Sequence, residues 1–120
     1  PDDAVEHGDF TARSGAEAMI RLLDRVPDLD GVFVANDLMA SGALLQLAAR
    51  GLRVPGDVAV FGFDDIGVAE STSPPLSTVA QPLTAMARRA GHLLAALLRG
   101  EDVPAEPVVF EPRITLRESA

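Results

Sequence analysis

Short, continuous apolar runs alternate with longer stretches of helical periodicity, and that alternation constrains this chain more than any other feature. Residues 31–35, Gly-Val-Phe-Val-Ala, and 57–63, Asp-Val-Ala-Val-Phe-Gly-Phe, are nearly unbroken apolar runs. Runs of that length suit strands buried on both faces. A shorter strand is expected at 77–80, residues 106–111 and 113–117 alternate as strands, and 4–7 is a further candidate. Between them, residues 12–26 place Ala12, Ala16, Met19, Ile20 and Leu23 on one helical face. Residues 38–50 are a second helix rich in Leu and Ala, and 83–99 carry a stripe of Leu83, Met86, Ala90, Leu93, Leu94 and Leu97. The punctuation agrees. Ser14 to Glu17 has capping-box spacing and Pro27 ends the first helix. Asn36-Asp37 can cap the second, Gly51 stops it, Pro82 suits the first turn of the third, and Gly100 ends that one. Residues 64–76, with Gly67, Ser71, Ser73 and Pro74-Pro75, read as loop. Strands joined through helices imply right-handed crossovers and a parallel sheet covered on both faces. The expected class is therefore α/β, a three-layer α/β/α arrangement with a mostly parallel sheet.

Composition then excludes whole classes of function. The 120 residues are 48% apolar, enough for one core. Ten cationic and 18 acidic side chains give a net charge of −8. So acidic a surface repels phosphate backbones and anionic lipid, so this segment is not expected to grip nucleic acid or membrane itself. All ten cations are Arg. The absence of Lys removes Schiff-base chemistry, a phosphate-loop Lys and the Lys that completes a phospho-receiver site. There is no Cys, and His7 and His92 are too few for most His-metal sites. No Gly-x-Ser-x-Gly elbow or Gly-rich phosphate cradle is present. The chain is not expected to be an enzyme, to bind a metal or to need a cofactor. It opens at Pro1 rather than Met and reads as a piece of a longer protein.

In open parallel sheets ligands bind beyond the carboxyl ends of the strands. Asn36 and Asp37 follow the first apolar run, Asp64 and Asp65 the second, and Gln81 the third. Asp9 and Phe10 would follow a strand at 4–7. One aromatic ring with amides and carboxylates at a single edge suits a sugar or a base ring. Each residue also has a plain structural reading. Asn36 or Asp37 can be a helix cap, Asp64-Asp65 loop solvation, Phe10 core, and Gln81 a turn residue. His7 reads as structural, and Arg88-Arg89 as a solvated helix face. It is their joint occurrence at successive strand ends that favours a binding site. Leu38, Met39, Leu44, Leu45 and Leu47 cannot all face one sheet, so the helix at 38–50 needs a second cover, for which a symmetric partner is the commonest.

Several of these residues carry a resemblance. Val32-Phe33-Val34-Ala35-Asn36-Asp37-Leu38-Met39-Ala40-Ser41-Gly42-Ala43 resembles a signature of LacI/GalR-type bacterial transcription regulators. Residues 51–65, Gly-Leu-Arg-Val-Pro-Gly-Asp-Val-Ala-Val-Phe-Gly-Phe-Asp-Asp, follow at that family's spacing. Pro74 to Pro82, the closing Arg117-Glu118-Ser119, and the upstream Gly8-Asp9-Phe10-Thr11 fit as well. The resemblance implies the C-terminal part of a two-lobed effector-binding region, like that of a type I periplasmic sugar-binding protein. By position, Phe10 would stack on the effector ring, Asn36 would face the effector, Asp64 would bind its hydroxyls or ring nitrogens, and Gln81 would border the cleft. Asp37 and Asp65 are assigned to capping and loop order. Residues 1–81 would be the C-terminal lobe, 82–111 a crossover helix and strand of the first lobe, and 112–120 a terminal strand returning to the second. Leu38, Ser41, Leu45 and Thr72 would lie in a homodimer interface. The implied partners are a small sugar-like or nucleobase-like effector and operator DNA, the latter held by an N-terminal helix-turn-helix absent from this chain. The implied place of action is the cytoplasm, without membrane contact. A periplasmic-type solute-binding protein, which shares the lobes, is the alternative.

Overall fold

The computed structural model describes residues 4–120. In chain order it contains α1 (Ala12–Arg25), β1 (Gly31–Phe33), α2 (Asp37–Ala49), β2 (Ala59–Asp64), α3 (Val68–Ser71), β3 (Ser77–Ala80), α4 (Leu83–Leu98) and β4 (Arg113–Thr115). The four strands form one sheet in the order β1-β2-β3-β4. The first three are parallel, with Phe33 level with Phe61 and Asp64 level with Ala80. β4 is antiparallel to β3, pairing Arg113 with Ala80. The α/β class and the mostly parallel sheet are as the alternation of runs predicts, but the expected cover on both faces is not: among the described residues α1 and α2 cover one face only, and α4, which has no buried residue, supplies no third layer.

The core lies between α1, α2 and one face of the sheet. Met19, Leu22 and Leu23 of α1, Met39, Ala40, Ala43, Leu44 and Leu47 of α2, and Val58, Val60 and Leu76 form one buried cluster. Close contact between α1 and α2 depends on two glycines. A Cβ at Gly15 would lie 2.1 Å from the Met39 carbonyl oxygen, and one at Gly42 1.9 Å from that of Ala12. The two helices therefore meet backbone to backbone, which only a missing side chain allows. The opposite face of the sheet carries Phe33, Phe61 and Phe63, with the Phe33 ring 6.5 Å from that of Phe61 and 6.4 Å from that of Phe63. That face stays open, with Phe33 63% exposed. The helical cover supplied by the described residues lies on the other side, where α2 packs on β2.

Local chemistry moves several expected boundaries. The cap of α1 is Thr11 rather than Ser14: the Thr11 hydroxyl accepts from the Ser14 amide, and Asp9 accepts from both the amide and the hydroxyl of Thr11. The Ser14 hydroxyl instead accepts from the Asp9 amide, so the turn is tied from outside the helix. Residues 4–7 form no ladder among the described residues; Glu6 is paired with Arg21 and Arg25, which also hold the His7 and Val5 carbonyls. The expected loop at 64–76 contains the short helix α3, because burying Ala69 turns that segment inward. Residues 106–111 are not a strand. Pro107 removes a backbone donor inside the segment, no strand of the sheet lies beside it, and Val109 stays exposed.

Two ends of the molecule contrast. The terminal segment is stitched in: Ser119 is buried, its hydroxyl donates to the Val60 carbonyl at 2.6 Å, and it accepts from the Ser77 amide at 2.8 Å. α4 has no buried residue, and Leu94, Leu97 and Leu98 are all exposed.

Two expectations about stability follow. Gly15→Ala and Gly42→Ala should each destabilise the fold by about 1–3 kcal/mol, since the neighbour that must move is backbone; urea denaturation checks this. Hydrogen bonds from Thr11 hold the Asp9 carboxyl at a pKa of about 2, against 3.8 ordinarily. Bonds from Arg53 do the same for Asp57, again to about 2. A lowered folded pKa means that this stabilisation is complete above the ordinary carboxyl pKa and is lost as pH falls toward the folded one. Urea midpoints should therefore drop between pH ~4 and ~2, and a double Asp9→Asn, Asp57→Asn variant should show a shallower drop.

Candidate ligand-binding site

β1, β2 and β3 all run the same way, so their carboxyl ends share one edge. Past the last β1–β2 pair, Phe33 with Phe61, the Val34 amide still donates to the Phe61 carbonyl at 2.8 Å, and the chain then bends to Asn36, the cap of α2, while β2 runs on to Asp64. Asp64 is level with Ala80, one residue before Gln81. The expected site residues are thus gathered in two joined pairs. The Gln81 side-chain amide donates to Asp64 Oδ1 at 2.6 Å, and the Asn36 side-chain amide donates to the Phe10 carbonyl at 3.1 Å. Phe10 takes a left-handed backbone conformation (φ 67°) and is 63% exposed. It is not core. Its ring stands free in solvent beside the residue that begins α2.

Asn36 has two tasks at once. Its Oδ1 accepts from the Met39 amide and caps α2, while its Nδ2 reaches back to Phe10. The cap reading and the edge reading are therefore both correct for this residue. Asp37 corrects the expectation that it caps the helix, because Asn36 already fills that position. Asp37 is the first helical residue and is fully buried. Its Oδ1 accepts from the Thr78 hydroxyl at 2.6 Å and its Oδ2 from the Ile66 amide at 2.9 Å. Gly62 makes room for it: a Cβ there would stand 2.5 Å from Asp37 Oδ1.

Asp64 (φ 109°) and Asp65 (φ 58°) both lie in the left-handed region that glycine favours. The turn is held from two sides. Asp37 binds the following amide, and Arg117 Nη2 donates to Asp65 Oδ1 at 2.8 Å. Thr115 donates to the other oxygen of Asp65 at 3.1 Å. Arg117 and Thr115 escape a reading based on residue type and strand ends, because they are remote in sequence and lie on the terminal segment. Arg117 is visible only as part of the closing Arg-Glu-Ser motif.

The edge offers a carboxylate oxygen, side-chain amides and an aromatic face, groups of the kind that suit a ring bearing hydroxyls. No group of His, Asp and Glu arranged to hold a metal occurs among the described residues, and no described helix is long and apolar enough to cross a membrane. An apolar cavity of about 240 Å³ lies beside β1, walled by Val5, Met19, Leu22, Val32 and Met39; none of Phe10, Asn36, Asp64 or Gln81 lines it. The residues expected at a dimer interface meet elsewhere. Ser41, Leu45 and Thr72 line one groove between α2 and α3, with Leu45 69% exposed at its rim. Leu38 is exposed on α2 and is not among the groove residues.

The chain is 49% identical over 115 residues to the helix-turn-helix-type transcriptional regulator CelR of Thermobifida fusca, which covers 96% of this chain and 34% of that protein. It is 37% identical over 115 residues to the transcriptional repressor CytR of Escherichia coli, again over 96% of this chain and 34% of that protein. It therefore spans 34% of the length of both relatives. Among solved structures, the transcriptional regulator CelR in complex with cellobiose superposes with a TM-score of 0.95 at 47% identity, over 100% of this chain and 37% of that one. A LacI family transcriptional regulator of Arthrobacter sp. FB24, in complex with lactose, gives 0.81 at 41% identity, over 93% of this chain and 42% of that one. The profile of the periplasmic binding protein-like domain matches residues 2–120. The chain belongs to the periplasmic binding protein-like domain family, and it corresponds to the C-terminal effector-binding region of its LacI-type relatives.

Proposed function

We propose that this chain is the sugar-sensing and dimerising part of a LacI-type transcription regulator. The observation that carries the reading is the joining of Phe10 to Asn36 and of Asp64 to Gln81 along one sheet edge. It occurs in a chain that superposes at a TM-score of 0.95 on a cellobiose-bound regulator. A sugar is preferred to a nucleobase because two similar structures are named as complexes with cellobiose and with lactose. Asp64 accepts hydroxyl hydrogens, Gln81 and Asn36 orient the ring, and Phe10 covers its apolar face. The effector is bound and released without chemical change. Effector binding shifts the balance between two arrangements of the lobes, and operator affinity changes with it. The operator is gripped by a helix-turn-helix outside this chain, which accords with the −8 charge. The protein acts in the cytoplasm, where that DNA is. Residues 82–111 belong to the first lobe and 112–120 to the second, which gives the exposed Leu94, Leu97 and Leu98 of α4 a cover outside this chain.

In the full-length protein, calorimetric titration should detect cellobiose or lactose, and nucleosides should give no heat. Binding of nucleosides alone would overturn the sugar assignment. Hydrogen bonds to a charged group are worth ~1.5–3 kcal/mol each. Asp64→Ala should accordingly weaken sugar binding by about ten-fold or more, and Phe10→Ala should do so through lost stacking.

The dimer joins two copies through the α2–α3 groove. α2 is apolar around its circumference, and Leu38 and Leu45 face away from the core that buries Met39, Leu44 and Leu47. Leu45→Arg, or Ser41→Arg, should shift sedimentation toward the monomer at micromolar concentration. Unchanged sedimentation in both variants would remove this surface from the interface.

A further inference from the structure

Three carboxylates stand at the edge of the sheet, and their hydrogen bonds separate them. Asp37 uses both oxygens inside the protein, one on Thr78 and one on the Ile66 amide. Asp65 also uses both, one on Arg117 and one on Thr115. Asp64 uses Oδ1 on Gln81, and its Oδ2 has no partner among the described residues. Of the three, Asp64 alone keeps an oxygen for a ligand. It does so from a backbone conformation that non-glycine residues rarely adopt, followed by a second such residue. Strain of that kind persists only where the surroundings over-determine it.

The surroundings here come from two remote places. Asp37 holds the far side of the turn from the start of α2. Arg117, only 16% exposed in its side chain, holds the near side from the terminal segment. Its guanidinium spans two targets, with Nη2 on Asp65 and Nη1 on the Leu76 carbonyl at 2.8 Å, while its own amide donates to Ser77 Oγ at 2.8 Å. An ammonium cannot reproduce that planar, two-target reach. Glu70 of α3 lies 3.5 Å from the same nitrogen but is itself exposed, so the firm contacts are those to Asp65 and Leu76.

We propose that Arg117 and Asp37 are positioning residues that clamp the strained Asp64–Asp65 turn, so that the terminal segment 113–119 is part of the effector site. The clamp fixes Asp65 away from the ligand and thereby aims Asp64 at it. The inference rests on the sugar-sensing reading for its consequence, but the clamp itself can be tested without any sugar.

The test uses the full-length protein with Arg117→Met, Arg117→Lys and the near-isosteric Thr115→Val. Amide hydrogen exchange is followed at Ile66, whose amide is bonded to Asp37, with Val34 as a core reference, since its amide is bonded to the Phe61 carbonyl and not to the terminal segment. Cellobiose and lactose are titrated by calorimetry. In Arg117→Met, exchange should quicken at Ile66 much more than at Val34, and disaccharide affinity should fall ten-fold or more. Arg117→Lys should recover part of both, and Thr115→Val should show the same pattern more weakly in a protein that folds. If exchange rises equally at Val34, Arg117 is a general stabiliser and the clamp is overturned. Unchanged exchange at Ile66 overturns it as well, as does a sugar affinity within two-fold of the parent in Arg117→Met. If the parent binds neither disaccharide, the sugar-sensing reading fails, and the exchange data still decide whether the turn is clamped.

Discussion

One buried carboxylate ties the carboxyl-end edge of the sheet together. Asp37 has no solvent exposure, and its two oxygens reach two different elements, β3 through Thr78 and the turn after β2 through Ile66. A charge buried this deeply is tolerable only when its acceptor sites are used. The residue opens α2, so the helix, the turn and the third strand share a single fixed point. It sits at the positive end of the helix dipole, which favours a negative charge. Gly62 is the complement of that arrangement: any side chain on it would displace the carboxylate. The turn that carries Asp64 is therefore held by a neighbour whose own oxygens are both used inside the protein.

Most of the architecture was legible because each long element repeats its signal. The apolar runs around β1 and β2, the stripes of α1 and α4 and the Leu/Ala-rich run of α2 span many residues, so one ambiguous position could not alter the reading. The misreadings concern short-range choices between similar donors and acceptors. Thr11 and Ser14 are both good caps, and only the position of Asp9 decides for Thr11. Asn36 and Asp37 are adjacent and both suit a helix start, but only one can fill it. The strand expected at 106–111 rested on alternation alone, in a segment bracketed by Pro107 and Pro112 that has no strand to pair with.

The candidate site was legible in a similar way. Strand ends alone single out Asn36, Asp64 and Gln81, because a parallel sheet brings its carboxyl ends to one edge. Phe10 came from the same rule, although the strand supposed to present it is not formed; the turn capped by Thr11 presents it instead. Arg117 and Thr115 could not be found in this way. They lie 52 and 50 residues from Asp65, and no local pattern encodes so distant a contact. Only the antiparallel return of β4 brings them to the turn.

That return has a mechanical meaning too. Ala80, the last residue of β3, pairs with Arg113, the first of β4. The chain therefore leaves the sheet toward α4 and comes back from it at neighbouring points, flanked by Pro82 and Pro112. Two covalent links side by side resist sliding and twisting but permit rotation about the line that joins them. A helix of 16 residues is roughly 24 Å long. A swing of a few degrees at such a pivot becomes a displacement of ångströms at the helix's far end. Gln81, which donates to Asp64, lies within one of the two links. A change in the Gln81–Asp64 contact would therefore act where the chain leaves the sheet, at the base of a helix that has no buried residue of its own.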